Sequence, residues 1–125
     1  MTGKHVLVID DENSVRKIIC DNLKLSGFTV SSAADGDEGL RMIDPSNPPG
    51  VVITDIIMPN RSGLEIITEI RKNYPHIKLI AISGGGRIEA ANDLLEKAKE
   101  LGADAALSKP LNLDELENTI NNLLG

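Results

Sequence analysis

"VVITDIIMPN", residues 51–60, decides how this chain is read. Val51, Val52, Ile53 and Thr54 form a β-branched run suited to a strand in a sheet interior. Asp55 interrupts the run, Ile56, Ile57 and Met58 resume it, and Pro59 stops it. Carrying a carboxylate into an apolar interior is costly unless a partner meets it. Asp55 is therefore either a strand end in water or a group placed for chemistry, and the rest of the sequence has to decide which.

Working outward, apolar runs recur at Val6–Ile9 and Leu79–Ile82, with weaker ones at Phe28–Ser32 and Ala105–Leu107. The first, third and fourth runs are almost wholly apolar, as strands covered on both faces would be. Helical spacing fills the gaps. Val15, Ile18, Ile19 and Leu23 share a face, as do Leu64, Ile66, Ile67 and Ile70, then Leu94, Leu95, Ala98 and Leu101, then Leu113, Leu116, Ile120 and Leu123. Glu38, Leu40 and Ile43 predict a shorter helix ending by Pro45, and Asp44–Gly50 must be a loop. Ser62 with Glu65 and Asn112 with Glu115 have capping-box spacing, and Gly27 and Gly102 sit where helices should stop. Five strands alternating with five helices predict an α/β fold. Its sheet is doubly wound and parallel, in the order 2-1-3-4-5.

Composition narrows the possibilities. The 125 residues are read as one domain, 1–125, without an output module. Hydrophobic residues make up 41 % and Phe28 and Tyr74 are the only aromatics, so the core is aliphatic and no base-stacking platform exists. The net charge of −6 and the lack of a basic cluster argue against direct nucleic-acid binding. Cys20 has no partner for an internal disulfide and reads as a small buried apolar residue. No signal peptide or long apolar span is present, so a cytoplasmic location without membrane insertion is expected.

In a doubly wound sheet, chemistry gathers at the carboxyl ends of the strands beside the switch in strand order. Asp10, Asp11 and Glu12 follow strand 1, Asp55 ends strand 3, Ser83 ends strand 4, and Ser108, Lys109 and Pro110 follow strand 5. Asp10 and Asp11 also suit the cap of the following helix, and Asp11 or Glu12 can cap it alongside a role in the site. Clustered carboxylates repel one another, and a hard divalent cation such as Mg²⁺ relieves that repulsion with oxygen ligands. A carboxylate can be the nucleophile of phosphoryl transfer, with a cation, a lysine and a hydroxyl holding the phosphoryl oxygens.

The segments "VLVIDDE", "VVITDIIMPNRSGLE", "LIAISGG" and "LSKP" together resemble the receiver domain of two-component response regulators, across essentially the whole chain. The resemblance implies that Asp55 accepts a phosphoryl group from a phosphohistidine on a sensor histidine kinase or a histidine phosphotransfer protein. It implies Asp11 and Asp55 as direct ligands of Mg²⁺ (or Mn²⁺), the backbone carbonyl of Ile57 as another, and Asp10 acting through water. Ser83 and Lys109 would contact the phosphoryl group, and Lys109–Pro110 would be a cis bond. The phosphoryl group would either switch the face of helix 4, strand 5 and helix 5 that meets a downstream protein or be passed on to another histidine. The chain would be a stoichiometric phosphoacceptor and no enzyme in the turnover sense.

Three positions depart from the family pattern. Ala106 stands where many receivers carry Tyr or Phe, so a rotamer-based relay is absent and the Gly84–Arg87 loop with helix 4 is expected to carry the signal. The segment from Ser83 to Lys109 reads as slightly long, with the surplus around "GGGRIEA". Ile57 places an apolar side chain two residues after the acceptor. Among other classes, an aspartate-based phosphohydrolase would show D-x-D where Asp10 and Asp11 are adjacent, and a flavin carrier would want Ser, Thr and Gly after strand 1. Gly84–Gly86 lacks the lysine of a nucleotide loop and reads as a flexible connection. A phosphate-independent adaptor is the remaining alternative.

Overall fold

Strands and helices alternate along the whole chain: β1 (His5–Ile9), α1 (Asn13–Leu25), β2 (Thr29–Ala33), α2 (Gly36–Met42), β3 (Val51–Asp55), α3 (Gly63–Asn73), β4 (Lys78–Ser83), α4 (Ile88–Leu101), β5 (Ala105–Ser108) and α5 (Leu113–Leu124). The computed structural model describes residues 5–59, 61–84 and 88–125. The strands form one sheet in the order β2-β1-β3-β4-β5, and all four pairings are parallel. This is the predicted α/β doubly wound architecture.

Alternation along the strands builds two cores. Leu7, Ile9, Val52, Leu79 and Ala81 face Ile66, Ile67 and Ile70 of α3 and Ala98 of α4. Val6, Val8, Val51, Ile53, Ile80 and Ile82 face Ile19, Cys20 and Leu23 of α1 and Leu116 and Ile120 of α5. β1, β3 and β4 are covered on both sides, which is why their sequences lack an apolar–polar alternation. Cys20 is buried in the α1–α5 core, as expected, and burial pushes its thiol pKa up.

Caps and stops follow the sequence closely. Ser62 and Asn112 accept hydrogen bonds from the backbone N–H groups of Glu65 and Glu115, and Asp35 caps α2 through Glu38 N–H. Gly27 and Gly102 adopt positive φ of 96° and 125° just past α1 and α4.

Three expectations need correction. β2 runs one residue later than predicted, because Phe28 leaves the strand to pack into the α1–α5 core. Ile18 is 56 % exposed: the buried arc of α1 is centred on Ile19, Cys20 and Leu23, and Ile18 falls outside it. Neither Asp10 nor Asp11 caps α1. Glu12 occupies the N-cap position and its side chain makes no cap hydrogen bond.

At the amino ends of β4 and β5 a polar clamp closes the fold. The Arg71 guanidinium donates to the carbonyls of Gly102, Pro75 and Ile77 and pairs with Asp104 at 2.9 Å. Asp104 also accepts the N–H of Leu79 at 2.8 Å. These groups satisfy loop carbonyls and a strand-edge N–H away from the carboxyl edge, leaving that edge free for chemistry.

Candidate functional site

The carboxyl edge of the sheet is assembled by backbone pairing. Asp55 is the last residue of β3 and lies beside Ile82 of β4. Ile56 N–H donates to Ile82 O, and Lys109 N–H donates to Ser83 O, so the sheet continues one step past its formal end on both sides of β4. The Lys109–Pro110 peptide is cis, as the resemblance implied. Behind Asp55, Gly63 N–H donates to Ile56 O at 2.8 Å and docks the first turn of α3 onto the strand end.

These constraints bring four of the expected side chains into one crevice. Lys109 Nζ lies 3.2 Å from Asp55 Oδ2, 3.1 Å from Glu12 Oε1 and 3.5 Å from Asp10 Oδ2. Asp10, Asp11 and Asp55 each place a carboxylate oxygen within 4.8 Å of the others. Asp10 and Asp55 are 1 % and 4 % exposed while Asp11 is exposed, so two buried carboxylates and one at the surface meet beside one ammonium. Ser83 is also buried at the neighbouring strand end, and its Oγ has no hydrogen-bond partner.

The electrostatics follow from that crowding. Burial, then the neighbouring Asp10 charge, raises the Asp55 pKa to about 6 against the pull of Lys109 and of the Ile57 N–H. Burial also raises Asp10, although its Oδ1 accepts the Glu12 N–H at 2.9 Å. Burial alone would lower the Lys109 ammonium, but the carboxylates of Glu12, Asp55 and Asp10 outweigh it and raise the pKa. Asp10 Oδ2 is buried with no hydrogen bond, its nearest cation being the Lys109 ammonium at 3.5 Å. An orphaned carboxylate oxygen within a set of three carboxylates fits a hard, oxygen-seeking divalent cation.

Ile57 is 53 % exposed, an apolar side chain held out at the surface just past Asp55. Ala106 is paired with Ala81 in the sheet and packs at the margin of the α3–α4 core. His5 Nε2 lies 2.8 Å from Ser31 Oγ across β1 and β2 and plays no part in the cluster. His76 is exposed, in the turn between α3 and β4. Gly85, Gly86 and Arg87 lie outside the described residues. So do Asn60 and most of the surplus expected around "GGGRIEA".

Two residues carry more than their sequence showed. Gly84 reads as a flexible connection, yet a Cβ there would lie 2.2 Å from Lys109 Cβ and 3.1 Å from its Cα. It is a close-packing position that lets the lysine stem lie against the end of β4. Glu12 reads as a helix-capping acid, yet its carboxylate reaches across the crevice to Lys109. The only hint in the sequence was a third acid following Asp10 and Asp11.

Among the described residues, no helix is long and apolar enough to cross a membrane. A family model described as "Response regulator receiver domain" matches residues 6–121. Among solved structures, a response regulator receiver domain protein from Clostridium thermocellum superposes with a TM-score of 0.87 at 37 % identity, covering 96 % of this chain and 93 % of that one. The receiver domain of NtrX from Brucella abortus gives 0.85 at 30 % identity, covering 95 % and 97 %. A curated relative from Cyanidium caldarium, named "Probable transcriptional regulator ycf27", is 37 % identical over 96 % of this chain and 46 % of its own length. The sensor kinase CckA of Brucella abortus contains a 35 % identical segment matching 95 % of this chain and 12 % of that protein. The chain thus spans about half the length, or less, of these curated relatives.

Proposed function

The chain belongs to the response regulator receiver domain family of two-component signalling, and we propose that Asp55 is its phosphoacceptor. The observation that carries this reading is the buried Asp55 carboxylate held 3.2 Å from Lys109 inside an acidic cluster. With a pKa of about 6, Asp55 is ionised and nucleophilic at neutral pH. Its oxygen bonds to phosphorus as the P–N bond of a donor phosphohistidine breaks, and the electron pair leaves with the imidazole. Lys109 pairs with one phosphoryl oxygen, and the unpartnered Ser83 hydroxyl donates to another.

Receiver domains generally bind Mg²⁺ at an acidic pocket, and the cluster here suits one. Asp11 and Asp55, with the Ile57 carbonyl and with Asp10 through water, would hold Mg²⁺, or Mn²⁺ in its place. Such a cation supplies charge neutralisation at the phosphoryl oxygens. The donor is a sensor histidine kinase or a histidine phosphotransfer protein. The domain acts in the cytoplasm as a stoichiometric acceptor and not as a turnover enzyme. The added charge shifts a two-state balance and alters the face of α4, β5 and α5 toward a downstream protein. Ala106 has no χ1, so no aromatic rotamer takes part in that shift.

Incubation with Mg²⁺ and acetyl phosphate, followed by intact mass, tests the assignment. One acid-labile phosphoryl group is expected on the parent and none on Asp55→Asn. Uptake that persists in the variant would place the acceptor elsewhere.

Ile57 bears on how long the phosphoryl group stays. An apolar side chain at the surface beside Asp55 hinders a water aligned for attack, whereas an amide would hydrogen-bond it. Ile57→Asn is expected to lose its phosphoryl group about three- to fivefold faster, or ~1 kcal/mol off the barrier. Matched phosphate-release rates decide this; a slower variant contradicts it.

A further inference from the structure

Lys109 is shared among three carboxylates, and only one of them stands at the rim. Asp10 and Asp55 are buried, whereas the Glu12 side chain is 56 % exposed, and its Oε1 holds the shortest of the three contacts at 3.1 Å. Glu12 occupies the N-cap position of α1 but does not use its side chain to cap the helix. Its carboxylate also stands outside the three-carboxylate cluster found among the described residues. Capping and the acidic cluster therefore leave Glu12 unexplained, and the lysine is the partner it has.

The geometry points to Glu12 as a positioning residue that holds Lys109 in the resting state and must release it before the lysine can pair with a phosphoryl oxygen. This rests on Asp55 being the phosphoacceptor. An ammonium has three donors; here two are hydrogen-bonded, to Glu12 and Asp55, and the third faces the buried Asp10 charge at 3.5 Å. An incoming phosphoryl oxygen competes with these carboxylates for the lysine, so one contact has to loosen. Asp10 and Asp55 are fixed at strand ends, so the side chain free to swing into water is Glu12. As the Asp55 oxygen bonds to phosphorus and the donor's bond to phosphorus breaks, with its electron pair departing on the leaving group, the Lys109–Glu12 pair gives way to a Lys109–phosphoryl pair. Glu12 thus sets two rates. Its charge repels an anionic donor at the mouth, and its competition for Lys109 weakens the hold on the bound phosphoryl group.

Three proteins test this: the parent, Glu12→Gln, which keeps the shape and removes the charge, and Glu12→Asp, which keeps the charge but shortens the reach. Phosphorylation is followed with acetyl phosphate and with the less negatively charged phosphoramidate, with Mg²⁺ present. Glu12→Gln is expected to react about threefold faster with acetyl phosphate at low salt, with a smaller gain for phosphoramidate and little gain at about 1 M salt, where exposed charges are screened. Its phosphorylated form should also last longer. Glu12→Asp should share the longer lifetime without the donor-dependent gain. In the unphosphorylated protein, the Lys109 Cε and Hε NMR signals should move in both variants. Unchanged donor preference, lifetime and Lys109 signals in Glu12→Gln would overturn the inference, and so would an equal slowing with both donors. A parent that takes up no phosphoryl group at all would instead overturn the phosphoacceptor assignment, and this inference with it.

Discussion

Asp55→Asn is expected to be more stable than the parent by about 1–3 kcal/mol at pH 7.5 without divalent cations, although it cannot accept a phosphoryl group. The cause is the raised Asp55 pKa, about 6 in the folded chain against the ordinary carboxyl value of 3.8. Between those values the folded protein keeps a proton that the unfolded chain has released. Stability therefore falls as pH rises from about 4 to 6, and above 6 the full penalty of about 3 kcal/mol persists. Asn matches the carboxylate in shape but carries no charge. The substitution leaves Lys109 with Glu12 and Asp10, so the ammonium is not stranded, though the lost Asp55 contact trims the gain. Urea unfolding at several pH values checks this. The gap should shrink toward zero near pH 4, where the parent carboxyl is also neutral. Adding Mg²⁺ at pH 7.5 should narrow it as well, because a cation that binds only the folded parent stabilises it. A variant that is less stable at pH 7.5, or a gap that ignores pH, would show that Asp55 is not destabilised by its surroundings.

Gly63→Ala is expected to lower stability by about 3 kcal/mol and to cut phosphoryl uptake by ~100-fold. A Cβ on Gly63 would sit 2.2 Å from the Asp55 carbonyl oxygen, 2.7 Å from Ile56 Cα and 2.9 Å from the Asp55 carbonyl carbon. All three are backbone atoms at the end of β3, so no rotamer change relieves the overlap. Either the first turn of α3 lifts away, breaking the Gly63 N–H bond to Ile56 O, or the strand end that aims Asp55 moves. Ser62→Ala is the control: it removes the α3 cap, costing about 1 kcal/mol, and leaves the strand end alone. Urea midpoints and initial rates with acetyl phosphate separate the two. A Gly63→Ala protein matching Ser62→Ala in both would mean the contact is readily relaxed.

Most of the fold was legible because parallel strands buried on both faces leave a plain trace. Val6–Ile9, Val51–Ile53 and Leu79–Ile82 are apolar throughout, and that pattern with intervening helices admits few topologies. The acids, the serine and the lysine were legible as strand-end residues for the same reason. Ile18 was misread because spacing alone tells which residues share a helix face, not where the edge of the buried arc falls. Gly84 and Glu12 were undervalued because their partner, Lys109, comes from the far end of the chain.

Burial pattern and chain connectivity, both written in the sequence, dictate the order of elements, the sheet topology and which residue types arrive at the carboxyl edge. How these groups interact is set by the folded arrangement. It buried Asp55 to 4 % exposure and brought Asp10 and Asp11 within reach of it. It also set one ammonium among three carboxylates and pressed Gly63 against the Asp55 carbonyl. Charge coupling and steric fit depend on distances of a few ångströms between residues far apart in sequence, and those distances exist only once the sheet has formed.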